Sequence, residues 1–346
     1  ALCEHCDWAY LLPPDGPPPV CPHCFREKLT PLNEGLDPLP YAHPPELLLP
    51  FAVSAEIVAR RIRGFAGDIR FAPADLKPDR LRARLQRIYL PMWLVDSRVQ
   101  ATWQAEVGFD YEVVSHQESF DEKRGGWVSR EVTETRIRWE PRLGRLTRTY
   151  DNIPAPALEE HAALSAKLGP FKVDAARPFQ AGDLARARVR LPDRPPADAW
   201  PETLPAIRAA AAEECRRAAG ADHIREFRWT ATYPDRNWTL LLLPLLATFY
   251  LDDDNRPQPV LIHGQTGRIS GVRRASMKRA QRMALVIVAL AAVIFAFSLL
   301  LALGSLLESA LLVLAGLGMG LAVFVGLLAI VPVFLAWGFN RGETED

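Results

Sequence analysis

Residues 98–107 read Arg-Val-Gln-Ala-Thr-Trp-Gln-Ala-Glu-Val. Apolar side chains stand at every second position (Val99, Ala101, Trp103, Ala105, Val107) and polar ones between them, the two-residue period of a strand with one buried face. The alternation returns over 134–140, with Thr135, Ile137 and Trp139 on one face, and again at Phe227, Trp229, Ala231 and Tyr233. Pro234, Asp235, Arg236 and Asn237 are turn formers, and they lead into an apolar run over 238–250. That run, short and close to the predicted turn, is expected to be a buried central strand rather than a membrane span. A last hairpin is predicted from 259–263 and 268–272, around Gly264, Gln265, Thr266 and Gly267.

Helical periods appear over 54–65 (Val58, Ile62, Phe65), 79–88 (Leu81, Leu85, Ile88), 155–168 and 206–219, while the proline-rich stretch 191–205 reads as a loop. The fold class is therefore α+β, with a body over 51–272 built on antiparallel sheet. An internal echo is also present: Pro50-Phe51 opens a segment that reaches Leu90-Pro91, and Pro178-Phe179 opens one that reaches Leu243-Pro244. Two related halves are the corresponding expectation.

The chain has 346 residues with 41 basic and 41 acidic side chains, a balance that excludes indiscriminate nucleic-acid binding. Its ends differ chemically from the body. Cys3, Cys6, Cys21 and Cys24 form two C-x2-C pairs separated by fourteen residues. Each pair offers two thiolates from one tight turn, and together they predict a closed, structural tetrahedral Zn²⁺ site in a zinc ribbon over 1–30. Five cysteines in a chain of this length do not make a disulfide scaffold. His5 and His23 lie within the knuckles, where four thiolates already complete the set, so they are read as non-ligands. Twelve of the first fifty residues are proline, and 31–50 reads as an extended linker holding the ribbon away from the body. The same fifty residues carry two basic against seven acidic side chains, a surface that repels phosphate and suits protein contact; Trp8, Tyr10, Leu11, Leu12 and Phe25 lie close to the knuckles, some expected in the ribbon core and one or two aromatics exposed for a partner.

Residues 283–303 contain no charge and are long enough, at about 1.5 Å per residue, to cross a bilayer core of roughly 30 Å. A second uncharged stretch covers 310–337, with a kink expected at Pro332, and an acidic tail follows over 338–346. The basic segment 273–282 (Arg273, Arg274, Lys278, Arg279, Arg282) precedes the first span, whereas the intervening loop holds only Glu308. By the positive-inside rule the body and both termini are expected in the cytoplasm. No secretory signal is expected before Cys3, in keeping with the expectation of a body that stays inside. Membrane lipids are thus expected partners. Gly316 and Gly320 form a G-x-x-x-G that permits close helix approach, within the hairpin or in an oligomer.

Catalytic motifs are absent: no G-x-S-x-G, H-E-x-x-H or phosphate-binding G-x4-G-K-[ST] occurs. His116, His161, His223 and His263 are scattered, Cys215 lies on an alanine-rich stretch that predicts core, and Asp252, Asp253, Asp254 and Asn255 read as a solvated turn. No enzymatic activity is expected.

At Tyr89-Leu90-Pro91-Met92-Trp93-Leu94-Val95-Asp96, Leu242-Leu243-Pro244 and His263-Gly264-Gln265-Thr266-Gly267-Arg268-Ile269-Ser270-Gly271, the chain resembles a bacterial family of membrane-anchored, TFIIB-type zinc-ribbon proteins. The resemblance covers ribbon, body and membrane helices in one order. It implies a bacterial inner membrane, neighbourhood with phage-shock and flotillin-like (SPFH) proteins and a role in membrane-stress or membrane-domain assemblies, with no catalytic residue to carry over. The expected function is a membrane-anchored adaptor or scaffold that recruits partner proteins. The alternatives are an accessory subunit of a larger integral membrane complex and a membrane-tethered nucleic-acid-binding protein.

Overall fold

The computed structural model describes residues 1–12, 19–31, 45–67, 69–121, 125–180, 182–183, 187–304 and 310–342. In chain order the elements are β1 (Tyr10–Leu11), β2 (Leu47–Leu48), α1 (Ala55–Ala66), α2 (Pro78–Ala83), β3 (Gln86–Asp121), β4 (Gly126–Pro156), α3 (His161–Leu168), β5 (Arg177–Pro178), β6 (Arg188–Arg190), α4 (Pro196–Ala218), β7 (His223–Leu251), β8 (Pro257–His263), β9 (Ile269–Gly271), α5 (Met277–Gly304), α6 (Ala310–Leu328) and α7 (Ile330–Gly342). The protein is α+β, with a sheet body followed by apolar C-terminal helices.

The core of the sheet is the antiparallel pair β3–β7, registered from Gln86 opposite Ala247 to Gly108 opposite His223. Outward from this pair the order is the same on both sides. A parallel neighbour comes first, β6 on β3 and β2 on β7, then an antiparallel strand, β1 on β6 and β5 on β2. Each central strand also has a hairpin partner, β4 for β3 and β8 for β7. The two Leu-Pro motifs face each other, with Leu90 opposite Leu243 and Pro91 opposite Leu242. The parallel neighbours are an addition to the antiparallel sheet that the sequence predicts.

Strand length is the main departure from expectation. The separate short strands read from the alternating segments are continuous: β3 has 36 residues and β4 has 31, about 100–120 Å of contour at 3.3 Å per residue. The turn predicted at 234–237 lies inside β7. There Tyr233 and Pro234 together oppose Val99, between the pairs Gln100–Thr232 and Arg98–Asp235. A bulge absorbs the extra residue, and among the described residues nothing pairs with the outer edge of β7 here, so the missing proline N–H costs no ladder bond.

Helix boundaries shift for tertiary reasons. The helix expected over 79–88 ends at Ala83, because Ile88 and its neighbours pair with β6 and β7. The one expected over 155–168 begins at His161, since Ala155 pairs with Trp93 in the sheet. The loop expected over 191–205 is helical from Pro196, with Pro201 and Pro205 inside α4. Between these prolines the Thr203 hydroxyl donates to the Trp200 carbonyl (2.7 Å).

At its base the sheet is covered on both faces, which explains the unbroken apolar run of β7. One face, with Leu241, Leu243, Leu245 and Ala247, meets the N-terminal cysteine module and α3. The other, with Leu246 and Tyr250, meets α1, the 69–76 segment and the ends of α5 and α7 (Ala280, Ala336, Phe339). Further along, α4 lays Ile207, Ala211 and Cys215 over Val99, Ala101 and Ala105. Beyond Gly108 and His223 the third strand ends, and β3 and β4 continue as a two-stranded arm.

The apolar helices join the body at the Leu251 end of β7, so β3 and the arm run away from them. Asn340 accepts the Ala275 N–H (2.7 Å) and returns a bond to its carbonyl (3.1 Å), fixing both ends of the helical hairpin against the body. α5 and the α6–α7 pair are long and apolar enough to cross a membrane and fit a two-span membrane protein. The second span is broken at Ala329 rather than at Pro332 itself, because Pro332 cannot donate to the carbonyl one turn earlier, that of Leu328. Of the segment expected as an acidic tail, 338–342 is the last turn of α7. The inter-span loop 305–309, most of the linker (32–44) and residues 343–346 lie outside the described residues.

Candidate metal centre

Two equivalent knuckles hold the cysteines. In the first, the Asp7 N–H donates to the Cys3 carbonyl (2.8 Å); in the second, the Phe25 N–H donates to the Cys21 carbonyl (3.0 Å). Asp7 and Phe25, each just after the second cysteine of its pair, both adopt positive φ (57° and 54°), so each turn closes in the same left-handed way. Single-residue bridges Leu2–Ala9, Leu2–Thr30 and Val20–Lys28 tie the knuckles into one module.

The four sulphur atoms lie within 4.8 Å of one another, with Cys3–Cys24 at 3.6 Å and Cys6–Cys21 at 3.7 Å. A tetrahedral ion with metal–sulphur bonds of about 2.3 Å requires sulphur separations of about 3.8 Å. The site can therefore hold a metal ion and is compatible with zinc. Burial pushes the Cys21 thiol up to about 11 and shifts Cys6 further in the same direction. At Cys3 burial is outweighed by the backbone N–H groups of His5 and Cys6, which hold its thiol below the ordinary value. Thiols this close resist ionising together, and a divalent cation makes four thiolates mutually tolerable. The Tyr10 hydroxyl, fully buried with no nitrogen or oxygen partner, lies beside the Cys21 sulphur, where an O–H donor suits a thiolate. His5 and His23 are outside the cluster: His5 contacts Arg26 (3.0 Å), and His23 stacks on Trp8 (centroids 3.7 Å apart).

Comparison with protein-family models, curated proteins and solved structures finds no match to this chain.

The module does not stand off from the body. β1 pairs with β6, Phe25 stacks on Phe249 of β7 (4.6 Å), and the buried Arg190 lies over the Trp8 ring (4.5 Å) while donating to the Ala9 carbonyl (3.2 Å) and Asp193 (2.9 Å). His23 reaches Glu160 (3.7 Å). One or two of Trp8, Tyr10 and Phe25 are expected from sequence to be exposed for a partner, but all three are at most 7% exposed. The physical reason is that a module this small cannot bury them itself and closes on the apolar face of the base sheet instead. The Leu47–Leu49 end of the expected linker belongs to that base, with β2 in the sheet and Leu49 in the core. Arg190 and Phe249 give no sign of this role in sequence; only the fold brings them to the module.

Other sequence-marked residues serve structure. The three motifs that carry the family resemblance meet in the sheet: Gly264 donates its N–H to the Pro244 carbonyl (2.9 Å), and a Cβ at Gly264 would lie 2.6 Å from Pro244. His263 is fully buried, stacked on Phe171, and its Nδ1 accepts from the Gln265 N–H (3.1 Å). The acidic turn, read as solvated, caps α5: Asp253 accepts the Lys278 N–H (2.9 Å), and Ser276 accepts that of Arg279 (3.0 Å). Cys215 is buried on the sheet-facing side of α4, its thiol pushed up to about 11 by burial and then by Glu214. Between the spans, Gly318 packs on Ser298, while Gly316 and Gly320 have nothing within 4 Å of a would-be Cβ.

Proposed function

We propose that the chain is a two-span, membrane-anchored scaffold whose N-terminal module is a structural zinc ribbon with one Zn²⁺ on Cys3, Cys6, Cys21 and Cys24. In this reading the body and both termini lie on the cytoplasmic side of a bacterial inner membrane, and the protein organises partner proteins there. The observation that carries it is the continuity of packing: metal-fitting knuckles, sheet base and helical hairpin ends share the two faces of one sheet. Such a unit holds a protein-binding surface at fixed height above a bilayer. Glu4, Asp7 and Glu27 are exposed around a centre that is itself anionic with zinc bound, which favours a protein partner over nucleic acid. The family resemblance adds SPFH or phage-shock proteins as the kind of neighbour to look for. The arrangement of β6–β3 and β2–β7 about the Leu90–Leu243 contact supports descent of the body from two related halves.

A role as accessory subunit of a larger membrane complex draws support from the open faces of Gly316 and Gly320, where another helix can approach.

The test is capture of the tagged full chain from native membranes in mild detergent, read by mass spectrometry. It is run beside a variant with Glu4→Lys, Asp7→Lys and Glu27→Lys. The proposal expects at least one protein recovered with the native chain and lost from the variant, with the metal retained in both. Identical sets of recovered proteins would refute a docking role for the module.

A further inference from the structure

The arm beyond Gly108 is a fourteen-pair antiparallel ribbon, from Gly108 opposite Trp139 to Asp121 opposite Gly126, with no irregularity in register. An isolated two-stranded ribbon is marginal in water. This one also leaves apolar side chains exposed on both faces, Tyr111 (46%) on one and Val114 (50%) and Ile137 (40%) on the other. No third strand, helix or loop among the described residues covers it.

Register sorts its charges by face, since directly paired residues point the same way and alternate along each strand. One face presents Asp110, Glu112 and Glu118 from β3 and Glu131 from β4, four carboxylates with no arginine or lysine among the described residues. His116 is the one base there, and Asp110 is held by His223 (2.8 Å) at the foot of the arm. The opposite face, continuous with the one that α4 covers lower down, presents Arg136 and Arg138 against Glu134, with Glu140 and Arg142 following just below the arm. The guanidinium of Arg138 lies 5.8 Å over the Phe109 ring of that face. The ribbon is thus acidic on one side and arginine-bearing on the other.

We propose that the arm is a self-association element, the acidic face of one copy stacking on the arginine face of the next. The complement of each face is present on every copy, and the two faces share one twist, so they nest. The proposal rests on the two-span anchoring for one point only: copies in one membrane hold their arms parallel. Translation of one arm over another then sets Asp110 and Glu112 level with Arg136 and Arg138. The contact is heterologous, so copies continue into a row or close into a ring. One face measures about 450 Å², from fourteen residues at 3.4 Å and a two-strand width of about 10 Å. Some 900 Å² buried in total is small for a stable interface, so association is weak in dilute detergent and strengthened where the membrane concentrates the chains.

The test uses the purified full chain at graded density in supported bilayers, with subunits counted by single-molecule photobleaching. It is repeated in detergent by sedimentation at low and high salt. The native chain should associate, and less so at about 1 M salt, where screening is short-ranged. Glu112→Arg with Glu131→Arg, and separately Arg136→Glu with Arg138→Glu, should each weaken association about tenfold or more by setting like charges together. Two rescues distinguish complementarity from misfolding. Mixing the two variants should restore mixed assemblies, and the fourfold variant with both faces reversed should associate with itself. A native chain that stays monomeric at every density, variants that associate as the native chain does, or failure of both rescues would overturn the proposal. None of these results depends on the identity of the metal or of any other partner.

Discussion

Replacing Phe25 by alanine separates a docked cysteine module from a tethered one. The ring is 5% exposed, stacks on Phe249 at 4.6 Å, and belongs to the cluster that includes Leu90, Met92, Leu243 and Leu245. Burying a phenylalanine removes about 150–200 Å² from water, which at roughly 25 cal/mol per Å² is about 4–5 kcal/mol. The stacked pair adds about 1 kcal/mol, and relaxation at the seam takes some of this back, so a net loss of about 3–5 kcal/mol is expected. Positive φ at Phe25 is equally unfavourable for alanine, so backbone strain does not change sides. The assay is thermal unfolding of the full chain in detergent, with limited proteolysis of the N-terminal thirty residues and metal analysis. For a cooperative unit of this size the loss corresponds to a fall of about 6–12 °C in Tm, with faster cleavage in the module. Metal should be retained, because Phe25 is not a ligand. An unchanged Tm together with unchanged cleavage would show that the module does not lean on the body, and the reasoning from the shared core would fail.

Asp75 is clamped by Arg84 (2.5 Å), Arg80 (2.6 Å) and the Leu251 N–H (2.8 Å). Although burial opposes ionisation, these donors hold its carboxyl at about 2, below the usual carboxylate range. Asp75→Asn should therefore cost about 2 kcal/mol near neutral pH. Because the folded value is depressed, this contribution is present above about pH 4 and lost as pH falls towards 2, so the gap between native and variant unfolding midpoints should narrow on acidification. In the helical hairpin, a Cβ at Gly318 would sit 2.2 Å from the Ser298 hydroxyl. Gly318→Ala should cost about 1–3 kcal/mol in detergent unfolding, whereas Gly316→Ala and Gly320→Ala, with open space around them, should leave the hairpin unaffected. A cysteine introduced at Ser305 should react with an impermeant reagent outside intact cells, while a reporter at the C-terminus should be cytoplasmic. The reverse pattern would invert the orientation.

Legibility in the sequence followed the range of the interaction concerned. The cysteine cluster was readable because ligand spacing is local, and the apolar helices because a bilayer imposes length and composition on a single segment. α1 was readable through the period of Val58, Ile62 and Phe65, and the structure adds a cap at its start, where Ser54 accepts the Ile57 N–H (3.4 Å). Strand length was not readable. Pro234 and Asp235 have turn chemistry, but an edge position and a bulge let β7 pass through them, and pairing partners decide that. The docking of the module was hidden for a similar reason. A module this small is expected to leave one or two of Trp8, Tyr10 and Phe25 exposed, until Arg190 and Phe249, far along the chain, arrive beside Trp8 and Phe25. Prolines misled twice, at the start of α4 and before the base sheet, because proline is compatible with a first helical turn and with the approach to a short strand.

The central claim, a structural zinc centre built into a membrane-anchored body, is tested most directly by metal analysis. The full chain is purified in detergent under reducing conditions, beside Cys21→Ser. The account predicts one zinc per native chain, no visible absorption from iron, and loss of the metal in Cys21→Ser with protease sensitivity that extends from the module to the base of the sheet. Native protein free of zinc, or a Cys21→Ser variant that keeps the full complement of metal, would contradict it.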